Sequence, residues 1–421
     1  MLRSFKYRLY PNKKVTSKLS WTLARCRELY NAALSERKDA YQKHERTVLY
    51  QNEQGHVIAI QMQANIKVKD VSYLQQKRDL VEIKEVREEY QEIASHVLQD
   101  VMLRLEKGMK AFYRRLREGQ TPGFPRFQGR NRYTSFTYPD GAGWKVQGNI
   151  LHLSKIGAIT VKLHRPIQGT IKTVTIKQEG DHWYVTFSCE VSDEERGTHT
   201  PYTDDALGID LGLLHFATLS TGDMIENPRF FRKGQADLTR KQQKLSRCKG
   251  GSHRRDKAKK QASKAHRKIR NQRRDFLHKQ SHQVVATYET LVFEDLSPAK
   301  MSRAPKPKHD ETGKYLPNGA AAKGGVNKSI RDAGWGTFVS MCQSKAAWTG
   351  SVTVLTVNPS NTSQVCSACG VKGDHKDLSQ RTHTCESCGL VLDRDHNAAL
   401  NILAKGMKTL SGGTHPTLAR V

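Results

Sequence analysis

Hydrophobic and polar positions alternate over Phe5-Lys6-Tyr7-Arg8-Leu9-Tyr10, which predicts a strand that Pro11 ends. The period then lengthens. Val15, Leu19, Leu23, Cys26, Leu29 or Tyr30, and Ala33 fall on one helical face, with Lys and Arg on the other. A second long helix is predicted from about Glu88 to Arg117. Its apolar stripe is Ile93, Val97, Val101, Leu105, Met109, Phe112 and Leu116, and Thr121-Pro122-Gly123 stops it. The polar stretch between these helices, about 45–90, reads only weakly as helix. From about Gly123 to Val191 the period returns to two. Strands are predicted at Ile150–His152, Ala158–Leu163, Ile171–Lys177 and Trp183–Val191, the last after a Glu179-Gly180-Asp181 turn. These strands suit a small β-barrel that the N-terminal strand joins, with the helices inserted between.

A polar linker, Ser192–Asp205, leads to the apolar strand Ala206-Leu207-Gly208-Ile209-Asp210-Leu211-Gly212, which opens a new α/β unit. Residues 240–274 suit a long helical pair. A helix over about Phe276–Tyr288 leads into the strand Thr290–Phe293. Ser297–Lys328, rich in Pro, Gly and Lys, reads as a mobile loop. A helix over Ile330–Trp348, the strand Ser351–Val357 and a short helix from Asp395 to about Lys405 complete the pattern, and the residues after Gly406 read as a disordered tail.

Charge narrows the function. The 421 residues, enough for two to four domains, carry 70 Lys plus Arg against 41 Asp plus Glu, a formal net charge of +29. Residues 240–274 alone hold 16 of the bases and one acid, Asp256. Such an excess fits a polyanionic partner rather than a small neutral substrate. A membrane is the weaker option. Mean hydropathy is −0.68, and no apolar run approaches the roughly 20 residues that span a bilayer. Met1-Leu2-Arg3-Ser4-Phe5-Lys6 lacks the apolar core of a signal peptide, so a cytosolic protein is expected.

Four of the eight cysteines, Cys26, Cys189, Cys248 and Cys342, are scattered and read as inert thiols. The other four pair as Cys366-x-x-Cys369 and Cys385-x-x-Cys388, each pair turning at a glycine, Gly370 or Gly389. Four thiolates so spaced suit a closed, structural, tetrahedral Zn²⁺ site. His375 and His383 lie inside this ribbon and are expected at the surface or against bases.

Three acids stand where a basic protein has little reason to put them. Asp210 interrupts an apolar strand, Glu294 ends Leu291-Val292-Phe293, and Asp395 opens the last helix. Alone, Asp395 would be a helix cap and Asp210 a turn residue. Together, three converging carboxylates suit two hard divalent cations about 4 Å apart, the arrangement that activates water against a phosphodiester. Asp223, Glu226 and Asp295 read as surface acids.

The ordered set Gly208-Ile209-Asp210-Leu211-Gly212, Glu294-Asp295-Leu296, Asp332-Ala333-Gly334-Trp335, Thr362-Ser363-Gln364-x-Cys366-x-x-Cys369-Gly370 and Asp393-Arg394-Asp395-His396-Asn397-Ala398-Ala399 resembles a split RuvC-like nuclease with an inserted zinc ribbon. It is similar to the TnpB family, transposon-encoded relatives of type V CRISPR effectors. Arg8-Leu9-Tyr10-Pro11 and Gly123-Phe124-Pro125-Arg126-Phe127 extend the likeness over nearly the whole chain. The resemblance implies an α+β multidomain chain. A wedge β-barrel would span 1–12 and 119–197, and a helical recognition lobe 13–118. A RuvC/RNase H-like α/β nuclease domain would span 198–359 and 393–406, with a nucleic-acid-binding zinc ribbon at 360–392 and a tail at 407–421.

The resemblance also implies an RNA-guided DNA endonuclease that uses a guide RNA from its own transposon end and cuts double-stranded DNA beside a short motif. Asp210, Glu294 and Asp395 match the catalytic, Mg²⁺-holding acids, and Cys366, Cys369, Cys385 and Cys388 the zinc ligands. Asp395 is preferred to Asp393 because it directly precedes the helix of Asn397-Ala398-Ala399. Nucleic-acid contacts are expected from Arg267, Lys268, Arg270, Arg273 and Arg274. Gln99 is a candidate reader of adenine, and Arg331 or Arg381 a candidate for the scissile strand. Tyr7, Tyr10, Phe124 and Phe127 are either core residues or stacking platforms for RNA bases. A monomer with one RNA in a prokaryotic cytosol, nucleoid-associated when bound, is expected. The rival readings are an RNase H-fold transposase, disfavoured because the ribbon lies between the second and third acids, and a catalytically silent nucleic-acid-binding regulator, disfavoured because all three acids are present.

Overall fold

The computed structural model describes residues 1–43, 46–51, 57–62, 71–139, 141–195, 200–374 and 380–411. The chain divides into two compact units, Met1–Glu195 and Arg196–Val421. Among the described residues no helix is long and apolar enough to cross a membrane.

The first unit contains β1 (Leu2–Tyr10), α1 (Lys13–Lys43), β2 (Arg46–Gln51), β3 (Val57–Met62), α2 (Tyr73–Val86) and α3 (Ser95–Arg117). Six strands come after them: β4 (Ser135–Tyr138), β5 (Trp144–Gln147), β6 (Ile150–Leu153), β7 (Gly157–Lys162), β8 (Thr170–Glu179) and β9 (His182–Glu190). As the alternation predicts, β1 enters the later sheet. It pairs antiparallel with both β9 and β7, burying Phe5, Tyr7 and Leu9 on one face. The seven strands run β4-β8-β9-β1-β7-β6-β5. In hydrogen-bonded order the sheet is open, where the sequence predicts a barrel. A side chain bridges the opening instead: from the end strand β4 the Tyr138 hydroxyl donates at 2.8 Å to the Ser154 carbonyl, just past β6, the strand next to the other end.

The helices between β1 and β4 pack by their predicted stripes, Leu19, Leu23 and Cys26 of α1 and Val97, Val101 and Leu105 of α3 all being buried. Leu116, in the last turn of α3, is instead exposed. The predicted helix from Glu88 is a short 3₁₀ turn, Glu88–Tyr90, and α3 itself starts at Ser95. The weakly helical stretch holds α2 and the β2–β3 hairpin.

The second unit contains β10 (Thr203–Asp210), β11 (His215–Leu219), β12 (Met224–Glu226), α4 (Phe230–Ser246), α5 (His253–Thr287), β13 (Tyr288–Glu294), α6 (Pro298–Met301), β14 (Lys308–His309), β15 (Tyr315–Leu316), α7 (Ala320–Ala333), α8 (Trp335–Thr349), β16 (Thr353–Val357), β17 (Thr382–Thr384), β18 (Val391–Asp393) and α9 (Arg394–Ser411). Its central sheet runs β12-β11-β10-β13-β16, with β10, β13 and β16 parallel and β11 and β12 antiparallel. On one face Leu207, Ile209, Leu291 and Phe293 pack against Leu277 and Val284 of α5 and Phe338 and Cys342 of α8. On the other, Val292, Leu355 and Val357 pack against Ile402 of α9.

Three expectations change here. The stretch 297–328 is not a bare loop: it carries α6, the β14–β15 hairpin and the first turns of α7. The Asp310 carboxylate holds the hairpin turn by accepting from the Thr312 and Lys314 N–H groups at 2.9 and 2.8 Å. The helix expected over Ile330–Trp348 is two helices, broken by Gly334, whose φ of +75° is left-handed backbone that suits glycine. The last helix continues to Ser411, past the predicted end at about Lys405. The rest of the expected tail, 412–421, lies outside the described residues.

Candidate active site and metal centre

Two of the three acids end neighbouring strands. In the parallel pair β10–β13, Ile209 lies opposite Phe293, so Asp210 and Glu294 stand side by side as the last residues of their strands. The carboxyl ends of parallel strands are where α/β sheets place their chemistry.

Helix α9 brings the third acid. A Cβ at Gly208 would lie 2.2 Å from the Ala399 carbonyl oxygen, and one at Gly406 2.5 Å from Val292 side-chain carbons. These glycines let α9 lie directly on β10 and β13. Asp395, about one turn before Ala399, then falls beside the end of β10. Asp393 has a separate task. Its Oδ1 accepts from the Asp395 and His396 N–H groups at 2.8 and 3.1 Å, capping α9. The cap expected of Asp395 in isolation is therefore made by Asp393.

The carboxylates feel one another. Asp210 is pushed up to about 8, first by burial and then by the negative charges of Glu294 and Asp395. Burial also raises Glu294, against a hydrogen bond from the Thr362 hydroxyl and the charge of Lys405. Asp395 is raised by burial and by Asp393, against Arg381, whose Nη1 lies 3.9 Å from its Oδ2. Among the described residues no three carboxylates have ligand oxygens all within 4.8 Å of one another, so the acids are not drawn in to the spacing of a single-ion site. The three acids expected at the surface, Asp223, Glu226 and Asp295, lie outside this cluster. Glu226 pairs with His215 at 3.3 Å, Asp223 accepts from Thr221 within a turn, and Asp295 is exposed.

The four ribbon thiols do close up, their sulfurs all lying within 4.8 Å of one another. Cys366–Cys388 and Cys369–Cys385 are each 3.6 Å apart. A tetrahedron of Zn–S bonds has edges of about 3.8 Å. Each pair forms the same knuckle. The Gly370 N–H donates to the Cys366 carbonyl and the Gly389 N–H to that of Cys385, and both glycines have a φ of +74°. The backbone N–H of Cys388 is the chief cause that pulls the Cys385 thiol down to about 6, whereas Cys388, against a hydrogen bond from the Leu390 N–H, is pushed up to about 12 by the neighbouring Cys369 and Cys385 sulfurs.

The sequence reading missed the clasp between this ribbon and the acids. Asn397 of α9, fully buried, accepts from the Ser367 N–H at 2.9 Å and donates to the Val365 carbonyl at 2.8 Å. Asn401, one turn on, donates to the Thr362 and Val365 carbonyls. Thr362, tied by Asn401, holds Glu294. Buried amides at i and i+4 facing a loop were the available signal. His383, expected at the surface, is buried at 1% exposure because it lies on the inner side of β17. His375 lies outside the described residues.

The basic run forms a helical hairpin. Ala258, Ala262, Ala265 and Ile269 make the inner stripe of α5 toward α4, so the run has a packing face that its charge density hid. Lys268, Arg270 and Arg274 are exposed; Arg267 and Arg273 are half-buried, and Arg273 donates to the Arg331 carbonyl at 2.8 Å. Gln99 is half-buried on α3. Tyr7 is core, Phe124 packs edge-on against Phe112, and Tyr10 and Phe127 are about half-exposed.

Three family descriptions match the chain: "Probable transposase" over 186–304, "Cas12f1-like, TNB domain" over 335–402 and "Helix-turn-helix domain" over 1–46. The last covers one strand and one long helix here. A protein of Escherichia coli (strain K12) named "Putative RNA-guided DNA endonuclease InsQ" is 30% identical over 412 residues, 98% of this chain and 94% of its own length. The chain belongs to the TnpB family. A Streptomyces pristinaespiralis relative named "Putative RNA-guided DNA endonuclease" is also 30% identical, over 417 residues, 98% of this chain and 91% of its own. "TnpB-like protein L770" of Acanthamoeba polyphaga mimivirus is 26% identical over 259 residues, 59% of this chain and 46% of its own. Among solved structures, the mini-RNA-guided endonuclease CRISPR-Cas_phi3 aligns over 96% of this chain and 92% of its own at 9% identity. Its TM-score of 0.39 is too low to establish a shared fold.

Proposed function

We propose that this TnpB-family chain is an RNA-guided, metal-dependent endonuclease encoded by a transposon, which cuts double-stranded DNA beside a short transposon-associated motif. The observation that carries the chemistry is the acid cluster, Asp210 and Glu294 at adjacent strand ends with Asp395 at the start of the helix lying on them. The partners follow from the names of the full-length relatives and from the charge of +29, since a guide–target duplex is held through its phosphates.

We read the five-stranded sheet with α9 as the RuvC/RNase H-like nuclease domain, at 198–359 and 393–406. The seven-stranded sheet is the wedge, at 1–12 and 119–197, and 13–118 the recognition lobe. Residues 360–392 form a zinc ribbon that meets target nucleic acid. Zn²⁺ on Cys366, Cys369, Cys385 and Cys388 is structural: four thiolates leave no open position.

The acids fit Mg²⁺, two ions in this reading. Three carboxylates raised first by burial, with Asp210 raised further by the charges of Glu294 and Asp395, form an oxygen-only donor set that a hard cation would relieve. Bound there, Mg²⁺ would activate water and stabilise the leaving 3′-oxygen. The chain's own part is positional. Thr362 orients Glu294 by donating to its Oε1, Asp393 caps α9 so that Asp395 is left for the cluster, and Asn397 and Asn401 lock α9 to the ribbon.

The test is cleavage by purified protein with Mg²⁺, guide RNA from the transposon end and a target with a randomised flank. Cut ends behind one enriched flank are expected. Strand joining would favour the transposase reading, and binding without cutting the regulator.

A further inference from the structure

The acid cluster has a neighbour of different chemistry. Strand β11 runs antiparallel to β10, so it starts at the edge of the sheet where β10 ends in Asp210. Its first residue is His215. Leu219 lies opposite Ile209, both packed toward α5 and α8, and Thr218 lies opposite Asp210 on the face that α9 covers. Plain alternation from Thr218 would turn His215 toward α5. A bulge prevents this. From His215 to Ala217, β11 takes two steps against one on β12, and Phe216 and Ala217 both pack on the α5–α8 side, Phe216 edge-on to Phe276 and Phe338. His215 is thereby re-aimed to the face of Asp210 and Asp395.

The ring is held there. Its Nδ1 is buried and lies 3.3 Å from Oε1 of Glu226, the residue opposite it on β12, an ion-pair distance rather than an aligned hydrogen bond. Its Nε2 makes no hydrogen bond among the described residues and is not shut off from solvent. The turn before it is fixed by Asn227, which donates to the Leu213 carbonyl at 3.0 Å, and by the Gly212 N–H, which donates to the Phe216 carbonyl at 3.2 Å.

Other basic groups act on the acids but are poor proton donors. Burial and then Asp393 raise the Asp395 carboxyl, while Arg381, Arg394 and His215 lower it. Arginines do not give up a proton in proteins. Lys405, whose charge lowers Glu294 against burial, directs its ammonium to the Asn358 and Ser360 carbonyls at 3.2 and 2.6 Å. Imidazole is the side chain suited to gaining and losing a proton near neutral pH.

We propose that His215 is a further catalytic residue, the proton donor to the leaving 3′-oxygen, with Glu226 as the residue that positions it. The role rests on the nuclease reading. In this step water adds its oxygen to phosphorus. The bond from phosphorus to the 3′-oxygen breaks with its electron pair on oxygen, and the imidazolium Nε2–H passes its proton to that oxygen. The proton released by the water goes to solvent, and solvent reprotonates the imidazole, so the products are a 5′-phosphate and a 3′-hydroxyl. Carboxylates that hold a hard cation are ionised and have no proton to give, which leaves this step to a group outside the three acids.

The test uses the full chain loaded with guide RNA, under single-turnover conditions. The target DNA carries at the mapped cut site either the ordinary linkage or one in which sulfur replaces the 3′-oxygen. A thiolate leaves without being protonated, because a thiol is a far stronger acid than an alcohol. Each variant's rate is divided by the wild-type rate on the same substrate, which cancels any effect of the sulfur itself. His215→Gln should slow the ordinary linkage about a hundredfold and leave the sulfur linkage near the wild-type rate. Glu226→Gln should do the same to a smaller extent; its side chain is 83% exposed, so it tests the role whether or not His215→Gln folds. Equal slowing on both linkages, or no slowing on the ordinary one, overturns the proposal and leaves the nuclease reading standing. A wild-type protein that cuts neither substrate removes the nuclease reading and this role with it.

Discussion

Replacing Asp210 by Asn should make the Mg²⁺-free protein more stable. The Asp210 carboxyl titrates at about 8 in the folded protein, against 3.8 for an ordinary aspartate. The folded state therefore holds its proton more tightly than the unfolded state. Below about pH 4 both states are protonated and there is no penalty. As pH rises from about 4 to about 8 the unfolded chain ionises and the folded one resists, so stability falls by about 1.4 kcal/mol per pH unit. At pH 7 the full loss would be about 4 kcal/mol, and relaxation of the site with entry of water brings it nearer 2 kcal/mol. Asparagine keeps the shape and abolishes the titration. Thermal unfolding at pH 7 should move up by about 4–8 °C for a unit of this size, and the gain should vanish toward pH 4. The assay is scanning calorimetry in Mg²⁺-free buffer without chelator, so that the ribbon keeps any zinc. Added Mg²⁺ should stabilise wild type and do little for the variant. An Asp210→Asn midpoint at or below wild type at pH 7, or a difference that does not grow with pH, refutes the idea that the three acids crowd one another.

Cys366→Ser or Cys388→Ser should release zinc, read by elemental analysis, and loosen residues 360–392, read by proteolysis, while the rest stays folded; wild type purified without zinc refutes the site. Asp395→Ala should abolish cleavage and spare nucleic-acid binding. Asp393→Ala should cost only a helix cap, about 1 kcal/mol in unfolding; the opposite pattern in cleavage assays moves the third acid to Asp393. Thr362→Val should lower kcat about tenfold with KM little changed, because Glu294 loses its orienting hydroxyl but keeps its charge; an equal loss from Thr362→Ser would contradict orientation by the hydroxyl. Changing Arg267, Lys268, Arg270, Arg273 and Arg274 together to Gln should weaken guide binding about equally across sequences and flatten its salt dependence; an unchanged slope makes the α5 face merely solvated.

Burial contrast decides which elements are legible in the sequence. β1 and β9 alternate because one face of each is packed and the other is not, so Phe5, Tyr7, Val185 and Phe187 are visible as a period of two. Trp144–Gln147 and Ser135–Tyr138 escape detection because they are edge strands of only four residues, too short for their alternation to stand out from its surroundings. The break at Gly334 is hidden because apolar residues continue on both sides of it, and only the backbone angle ends the helix. The metal-binding cysteines and the acids at strand ends stand out because their chemistry is rare in such settings. Asn397, Asn401 and Thr362 are neutral and common, and their role exists only where α9 meets the loop before Cys366.

That clasp bears on why the ribbon lies between the second and third acids. The chain leaves β16, passes Thr362, makes the ribbon, and returns as α9 with Asp395 in its first turn. The ribbon therefore closes a loop whose two ends carry a ligand-orienting hydroxyl and a carboxylate. Its first knuckle is stitched to α9 by Asn397, through the Ser367 N–H and the Val365 carbonyl. The β17–β18 hairpin that bears the second cysteine pair leads straight into the Asp393 cap. Any tilt of the knuckles is thus passed by short covalent and hydrogen-bonded links to Asp395 and Glu294. Metal on the four thiolates would fix both ends of that loop at once. A module that size has little apolar core with which to do so unaided.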